Sequence, residues 1–431
     1  MSNKTFIIKT LGCKLNFSES ATLSRMLSEQ GYCPADKDVT RADLYIINSC
    51  AVTQIAEKKC KQFIRHIKSR FPESKIVLVG CFSALENAYS LANQVDLMLG
   101  SGNKMKLITE IDALFSDNYK PKIIQDTQEE SFFHAFSIHE RTRSFLKIQD
   151  GCDYFCAYCT VPYARGRSRS DSMENIIEHA KKIVANNVKE IVLSGVNTGD
   201  FKTEKGEHLL DLLLELEKIN GLHRIRISSI EPNLLSSEII HLVASSEKLL
   251  PHFHIPLQSG SDEILSKMKR RYTSAFFADK VHQIKEIMPH ACIAADVIVG
   301  FPSETDELFE QTYQFINSLP LSILHVFPYS KRPNTVAAKM DNHLTTNCKN
   351  QRVASLINLS DMKKDIFYRE NIGKTGKVLI ENKIDEEYMS GFTENYIRVR
   401  LPYNPHYINE IKTVKILQTD SGNGICDAEI V

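Results

Sequence analysis

Residues 149–159 read Gln149-Asp150-Gly151-Cys152-Asp153-Tyr154-Phe155-Cys156-Ala157-Tyr158-Cys159, which spaces three cysteines as C-x3-C-x2-C with an aromatic just before the third. A loop of this length wraps three corners of an iron–sulfur cubane and leaves the fourth iron free. Zinc knuckles more often use paired C-x2-C units, and no second pair lies nearby. A β-rich run at 145–148 precedes the loop, and others follow at 190–193, 224–228, 252–255, 293–299 and 323–327. Helical patterns fill the intervals at 172–186, 209–219, 234–245, 261–288 and 304–318. Six β/α units predict a partial parallel barrel with its site at the C-terminal mouth. The strand ends run into small and polar residues, Ser194-Gly195-Val196-Asn197, Ser228-Ser229-Ile230-Glu231, Gln258-Ser259-Gly260-Ser261 and Gly300-Phe301-Pro302. Such loops offer hydrogen bonds to a nucleoside-like ligand.

Upstream, β-runs at 5–9, 44–48 and 75–80 alternate with helical patterns at 18–30 and 55–70, which predicts a parallel α/β sheet. Each strand ends within a few residues of a cysteine, in Gly12-Cys13, Ser49-Cys50 and Gly80-Cys81. Ligands of open parallel sheets bind at the carboxyl ends of the strands, so these thiols are expected to converge. Three soft thiolates suit an iron–sulfur cluster or zinc, and a missing fourth protein ligand leaves an open site. The helix after Cys50 carries Lys58, Lys59, Lys61, Arg65, Lys68 and Arg70 against Glu57, which reads as a phosphate-binding surface or as a solvated face. Downstream, a helical stretch at 345–370 gives way to period-two runs at 377–380, 388–392, 396–400, 413–417 and 425–430, the pattern of a small five-stranded barrel. The expected organisation is an N-terminal domain over 1–115, a linker over 116–139, a central domain over 140–368 and a terminal barrel over 369–431.

Composition sets outer bounds. The 431 residues hold 53 Lys and Arg against 53 Asp and Glu, so binding of nucleic acid by bulk positive charge is excluded, though a local basic patch is not. No apolar run approaches the ~18–20 residues of a membrane span, and Met1-Ser2-Asn3-Lys4 does not open an export signal. Eleven cysteines are an odd number, which argues against a disulfide framework and for a reducing cytoplasm. Six have the placements above. Cys33, Cys60, Cys292, Cys348 and Cys426 share no spacing and are expected to be structural.

The C-x3-C-x2-C loop resembles the signature of the radical S-adenosylmethionine (SAM) superfamily. IQDGCDYFCAYCTVPYARGRSRS at 148–170 is similar to that of its methylthiotransferase branch, and TLGCKLN, INSCAVT and LVGC resemble that branch's auxiliary-cluster segments. The resemblance implies that Cys152, Cys156 and Cys159 bind the [4Fe-4S] cluster that cleaves SAM to a 5′-deoxyadenosyl radical. It implies that Cys13, Cys50 and Cys81 hold a second [4Fe-4S] cluster bearing the sulfur to be transferred. Tyr158 would pack on the adenine, with Gly195, Val196, Asn197, Ser229, Glu231, Gln258, Ser259, Arg271, Asp296 and Ile298 around SAM. GFPSET departs from the family pattern, with Ser303 where glycine is usual.

SGFTENYIRVRL at 390–401 looks like a TRAM domain, an RNA-binding barrel, in which Tyr396, Arg398 and Arg400 would offer stacking and phosphate contacts. Residues 367–431 nonetheless count eight Lys and Arg against ten Asp and Glu, leaving a local patch of Arg398, Arg400, Lys412 and Lys415 as the expected RNA contact. TLGCKLNFSES resembles the branch that modifies N6-threonylcarbamoyladenosine beside the anticodon of tRNA, whose motif runs LGCKxN. The isopentenyladenosine branch reads GCQMN, and the branch acting on a ribosomal-protein aspartate reads GCPKN. The implied enzyme is a cytoplasmic monomer acting on the tRNA anticodon stem-loop, served by an unidentified electron donor and sulfur source.

Overall fold

The computed structural model describes residues 4–36, 40–51, 54–124, 132–138, 141–420 and 424–431. The segment Met1-Ser2-Asn3, the Val52-Thr53 end of INSCAVT and residues 125–131 of the expected linker lie outside them.

The N-terminal part is a six-stranded parallel sheet. Its elements are β1 (Thr5–Thr10), α1 (Lys14–Glu29), β2 (Cys33–Pro34), β3 (Leu44–Ser49), α2 (Gln54–Arg70), β4 (Lys75–Gly80), β5 (Leu97–Leu99), α3 (Lys106–Leu114) and β6 (Lys122–Ile124). Strand order is β2-β1-β3-β4-β5-β6. Every residue of β3 is buried, as a central strand covered on both faces requires. β6 falls within 116–139, so the segment read as a linker extends this sheet instead, and Phe133 and Ala135 join its core. A run as short as 122–124 carries no recognisable period.

The central part begins with β7 (Arg143–Lys147) and β8 (Gln149–Asp150). The cysteine loop follows, then α4 (Val161–Arg165) and β9 (Arg169–Ser170), which pairs back on β8. Next come α5 (Met173–Ala185), β10 (Glu190–Ser194), α6 (Leu209–Glu217), β11 (Arg224–Ile227), α7 (Ser237–Ser245) and β12 (His252–His254). The series closes with α8 (Asp262–Lys267), α9 (Ser274–Ile287), β13 (Cys292–Val299), α10 (Asp306–Ser318) and β14 (Ile323–Pro328). β7, β10 and β11 form one parallel sheet and β12, β13 and β14 a second, linked by Leu250 N donating to Ile225 O at 3.0 Å and Ile230 N to His254 O at 3.0 Å. Together they make the expected six-stranded partial barrel. Ile191, Leu193, Ile225, Phe253, Val297 and Leu324 lie in the core between strands and helices, so alternate residues face the lumen.

The helix expected over 261–288 is two helices. Lys269 adopts a φ of +58°, which ends α8, and Thr273 Oγ1 accepts from Phe276 N to cap α9. The break turns residues 270–271 toward the cysteine loop.

α11 (Thr346–Arg369) leads to a closed barrel of β15 (Thr375–Lys383), β16 (Tyr388–Thr393), β17 (Arg398–Pro402), β18 (Ile411–Asp420) and β19 (Ile425–Ile430). This barrel plugs the N-terminal end of the central one. Arg224 donates to Phe392 O at 3.2 Å and Thr393 O at 3.0 Å, and Arg143 pairs with Glu381 at 2.5 Å. Tyr396 packs between His252 and Phe392, with ring centroids 4.4 and 4.6 Å away, so it is not a platform for RNA bases. Arg400 is paired with Asp427 and Asp420. Of the residues read as RNA contacts, Arg398 and Lys415 remain exposed side chains without an ion pair among the described residues, and Lys412 is half-buried over Tyr407.

Candidate functional site

Two glycines and an asparagine bring the first three cysteines to one edge. β1, β3 and β4 are neighbours, and Cys13, Cys50 and Cys81 follow their carboxyl ends. Gly12 has φ +109°, and a Cβ there would lie 2.7 Å from Cys50 Cβ and 2.9 Å from its Sγ, so only glycine lets the Cys13 loop reach Cys50. Gly80 has φ +106°, and a Cβ would meet Ser49 O at 2.5 Å. Asn16 Nδ2 donates to Leu11 O at 2.8 Å and Ser49 O at 3.0 Å, tying the loops after β1 and β3 together. Cys50 and Cys81 are buried and Cys13 is exposed.

The second set sits in a loop shaped by Gly151, where φ is +68° and a Cβ would overlap Arg167 O at 1.9 Å. Tyr154 N points at Cys152 Sγ and Val161 N at Cys159 Sγ, both at 3.4 Å, while Arg270 Nη1 donates to Cys156 Sγ at 3.1 Å. Burial pushes the Cys152 thiol up to about 11 and Cys159 up to about 12; at Cys156 burial also raises the value, against the pull of Arg270. All eleven cysteines are free thiols, Cys60, Cys292 and Cys426 buried and Cys33 and Cys348 half-buried.

One cavity of about 270 Å³ is lined by Tyr158, Cys159, Gln258, Asp296, Ile298 and Arg332, among others. Arg332 pairs with Glu57 on α2 and feels the charge of Cys50. Thr160 Oγ1 donates to Ala51 O at 3.4 Å. Cys159 thus lines this cavity, and its Arg332 wall and the Thr160–Ala51 contact lie beside the Cys50 loop.

The remaining expected SAM residues divide. Val196 N and Asn197 N both donate to Gln149 Oε1 at 2.9 Å, and a Cβ on Gly195 would crowd that same oxygen at 3.0 Å. Glu231 pairs with Arg270, and desolvation raises its carboxyl even against that cation. Ser229 uses its carbonyl to accept from Thr198 at 2.7 Å. Ser259 is fully buried with its hydroxyl 3.1 Å from Thr312 Oγ1, turned toward α10 rather than the cavity. Arg271 donates to Asp153 O at 2.8 Å and lies 4.0 Å over Tyr154, on the exposed flank. Arg270 holds the inner position, touching Cys156, Tyr158 and Glu231. Sequence reasoning missed it because the break at Lys269 leaves no mark in the helical period.

The residues fit a bound nucleoside and clusters. Asn197 Nδ2 and Oδ1, Gln258 Oε1, Ser228 Oγ and Ser261 Oγ are buried with no hydrogen-bond partner among the described residues, an uncommon state for native polar atoms and one that a polar ligand relieves. Burial pushes the Cys81 thiol up, and Arg165, whose Nε donates to Cys81 Sγ at 3.0 Å, pulls against it. The lumen below is polar too. Asp296 Oδ1 lies 2.7 Å from His254 Nε2, and with His325 their ligand atoms fall within 4.8 Å of one another. Lys14, next to Cys13, feels Arg143, Arg226, Asp296 and Glu190; desolvation and then the two arginines push its ammonium down to about 8.

Comparison with known proteins accords with this geometry. Residues 146–316 match the radical SAM superfamily, and residues 5–100 match an uncharacterized protein family, UPF0004. The chain is 37% identical to the threonylcarbamoyladenosine tRNA methylthiotransferase MtaB of Bacillus subtilis, over 96% of this chain and 94% of that one. It is 35% identical to the MtaB of Thermotoga maritima, over 99% and 98%. It is 33% identical to a tRNA-2-methylthio-N(6)-dimethylallyladenosine synthase of Desulfitobacterium hafniense, over 99% and 98%. Among solved structures, the radical SAM methyltransferase TsrM of Kitasatospora setae superposes with a TM-score of 0.56 at 14% identity, covering 75% of this chain and 72% of that one, a likeness of fold alone. Two neighbouring cysteine trios, in a chain aligned end to end with these enzymes, place it in the radical SAM methylthiotransferase family.

Proposed function

We propose that this chain replaces the C2 hydrogen of N6-threonylcarbamoyladenosine, beside the anticodon of tRNA, with a methylthio group. The observation that carries the reading is that the two cysteine trios are neighbours, joined by Arg165 at Cys81 and by Thr160 at Ala51, in a chain most of whose length aligns with relatives named for that nucleoside. The family uses SAM and two [4Fe-4S] clusters. When bound they supply hydrogen abstraction by a radical, and the methyl and sulfur of the new group.

The residues of the chain hold and orient. Cys152, Cys156 and Cys159 would hold one cluster, and Cys13, Cys50 and Cys81 the other. Arg270 places its guanidinium between Cys156 and Glu231, fixing that side of the cavity. Gln149 locks the backbone of Val196 and Asn197, which presents the unpartnered amide of Asn197. Leu-, Ile- and Val-rich packing between the strands and their helices holds the barrel that shapes the lumen. On α2, Lys58, Lys59, Arg65, Lys68 and Arg70 are exposed without ion pairs among the described residues, a surface suited to tRNA phosphates beside Cys50. No helix among the described residues is long and apolar enough to cross a membrane. A cytoplasmic monomer fed by a low-potential electron donor and a sulfur source completes the reading.

The dimethylallyladenosine reading stands second, on the relatives of that name. Reconstituted enzyme incubated with SAM, reductant and each modified stem-loop separates them. Methylthio product on the threonylcarbamoyl RNA, read by mass spectrometry of nucleosides, supports the first reading. Product on the dimethylallyl RNA alone overturns it.

A further inference from the structure

The strands β12, β13 and β14 present a polar patch to the lumen that contains no cysteine. On β13, Asp296 and Ile298 are half-buried while Ala295, Val297 and Val299 are buried, so alternate residues face the lumen. β14 runs beside it with Asp296 level with His325 and Ile298 level with Phe327, and both β14 residues are exposed. Asp296, Ile298 and Phe327 line the cavity of about 270 Å³ together with Cys159. His325, two residues before Phe327, therefore belongs to the same wall, one pleat further from the mouth. From β12, His254 Nε2 lies 2.7 Å from Asp296 Oδ1, and its ring centroid is 5.0 Å from that of His325. The ligand atoms of all three fall within 4.8 Å of one another. His254 is committed to Asp296, and that hydrogen bond fixes the carboxyl in place. His325 makes no hydrogen bond or ion pair among the described residues. Burial and then the neighbouring His254 push its imidazole down, so at neutral pH it offers one N–H donor and one acceptor nitrogen. Such groups are costly to cover with a ligand that leaves them unpaired.

We infer that His325 is a specificity-determining residue of this site, donating to an oxygen of the threonylcarbamoyl substituent while Asp296, held by His254, accepts from one of its N–H or hydroxyl groups. The inference rests on the substrate reading above and names the side chains that enforce it. A dimethylallyl group has neither donor nor acceptor, so it would cover His325 and Asp296 and pair with neither. A site built to pair a polar group discriminates strongly against an analogue that lacks it.

The test uses reconstituted holoenzyme with SAM and no reductant, so that binding is measured without turnover. Two anticodon stem-loop RNAs differ only in the N6 substituent, threonylcarbamoyl in one and dimethylallyl in the other. Wild-type enzyme should bind the threonylcarbamoyl RNA about tenfold to a hundredfold tighter, the range of one or two buried hydrogen bonds. His325→Leu should shrink that ratio at least about fivefold. His325→Gln should keep most of it, because a carboxamide restores a donor and an acceptor. Each value is a ratio on one preparation, so partial unfolding leaves it unchanged. Equal binding of the two RNAs by wild-type enzyme overturns the inference without any variant. So does a His325→Leu enzyme that retains the full preference; in both cases wild-type methylthiolation of the threonylcarbamoyl RNA leaves the substrate reading intact. Product on dimethylallyl RNA alone removes the substrate reading and the inference with it.

Discussion

Arg165 Nε donates to Cys81 Sγ at 3.0 Å, so a side chain from the helix that follows Cys159 touches a thiol of the other cysteine set. The same guanidinium reaches Glu19 and Asp150 at 2.9 Å and Asn16 Oδ1 at 2.6 Å. Lys104, Lys147 and Arg169 complete a buried cluster of four cations around two carboxylates. The positive excess lies beside Cys81, where an anionic cluster held by the thiolates would neutralise it. Arg165 is therefore a positioning residue that fixes one cysteine loop against the other.

Removing it strands Glu19 and Asp150 with fewer cations and leaves Cys81 without its donor. Arg165→Met should cost about 3–5 kcal/mol of stability, and iron content should fall from about eight toward about four per chain. Arg165→Lys should lose less stability but also lose iron, because an ammonium cannot span all four partners. Thermal melts and iron assays of anaerobically reconstituted protein read both. A variant with full iron content would show that the contact is incidental.

The two cysteine sets should separate by chemistry. Cys156→Ala is expected to abolish reductive SAM cleavage and every product. Cys50→Ala should leave 5′-deoxyadenosine formation while lowering methylthio product at least about 1000-fold, since the cluster it would help to hold is the one that would deliver sulfur. Near-normal product from Cys50→Ala would remove that assignment.

Arg270 and Arg271 are adjacent in sequence and unequal in place. Arg270→Met should weaken SAM binding by about 10- to 100-fold, as loss of a charge-assisted contact does, whereas Arg271→Ala should stay within about twofold. Calorimetric titration of SAM into each holoenzyme measures the difference.

Ser303 carries φ +66°, in the left-handed region that glycine occupies without strain. Its position in GFPSET is the one departure from the family pattern noted above. Ser303→Gly is expected to raise stability by up to about 1 kcal/mol, read as a shift in denaturation midpoint with unchanged slope.

Glu190 supplies a pH signature. Desolvation opposes its charge, but Arg224, Arg226 and Arg143 outweigh burial and hold its carboxyl at about 2. A carboxyl depressed from about 4.5 gives stability that is complete above that value and lost as pH falls toward 2. The full contribution is about 3 kcal/mol. Glu190→Gln should flatten this part of the acid limb and lower stability at neutral pH, since Arg224 and Arg226 then lose their carboxylate and Arg143 keeps only Glu381.

Local pattern was enough for much of this molecule. Strand and helix periods, loop spacing and the two cysteine trios are written over short stretches, because burial alternates with the geometry of each element and ligands collect at strand ends. Those signals gave the parallel sheet, the six β/α units and the terminal barrel, together with the six thiols. Ser303 stands out only against the family resemblance, and its φ of +66° is one that glycine adopts without strain.

What only the tertiary structure decided are relations between distant charges. Arg165 and Arg270 look like surface cations in the sequence, and each acquires its role from partners far along the chain. Arg165 meets Glu19 across 146 residues, and Arg270 meets Cys156 across 114. The same holds in the negative. Tyr396 and Arg400 have the right chemistry for RNA, yet packing on His252 and pairing with Asp427 consume them. Period and spacing report a residue's own element, whereas electrostatic pairing depends on which elements the fold brings together, and that is settled only when the lumen and its two ends are assembled.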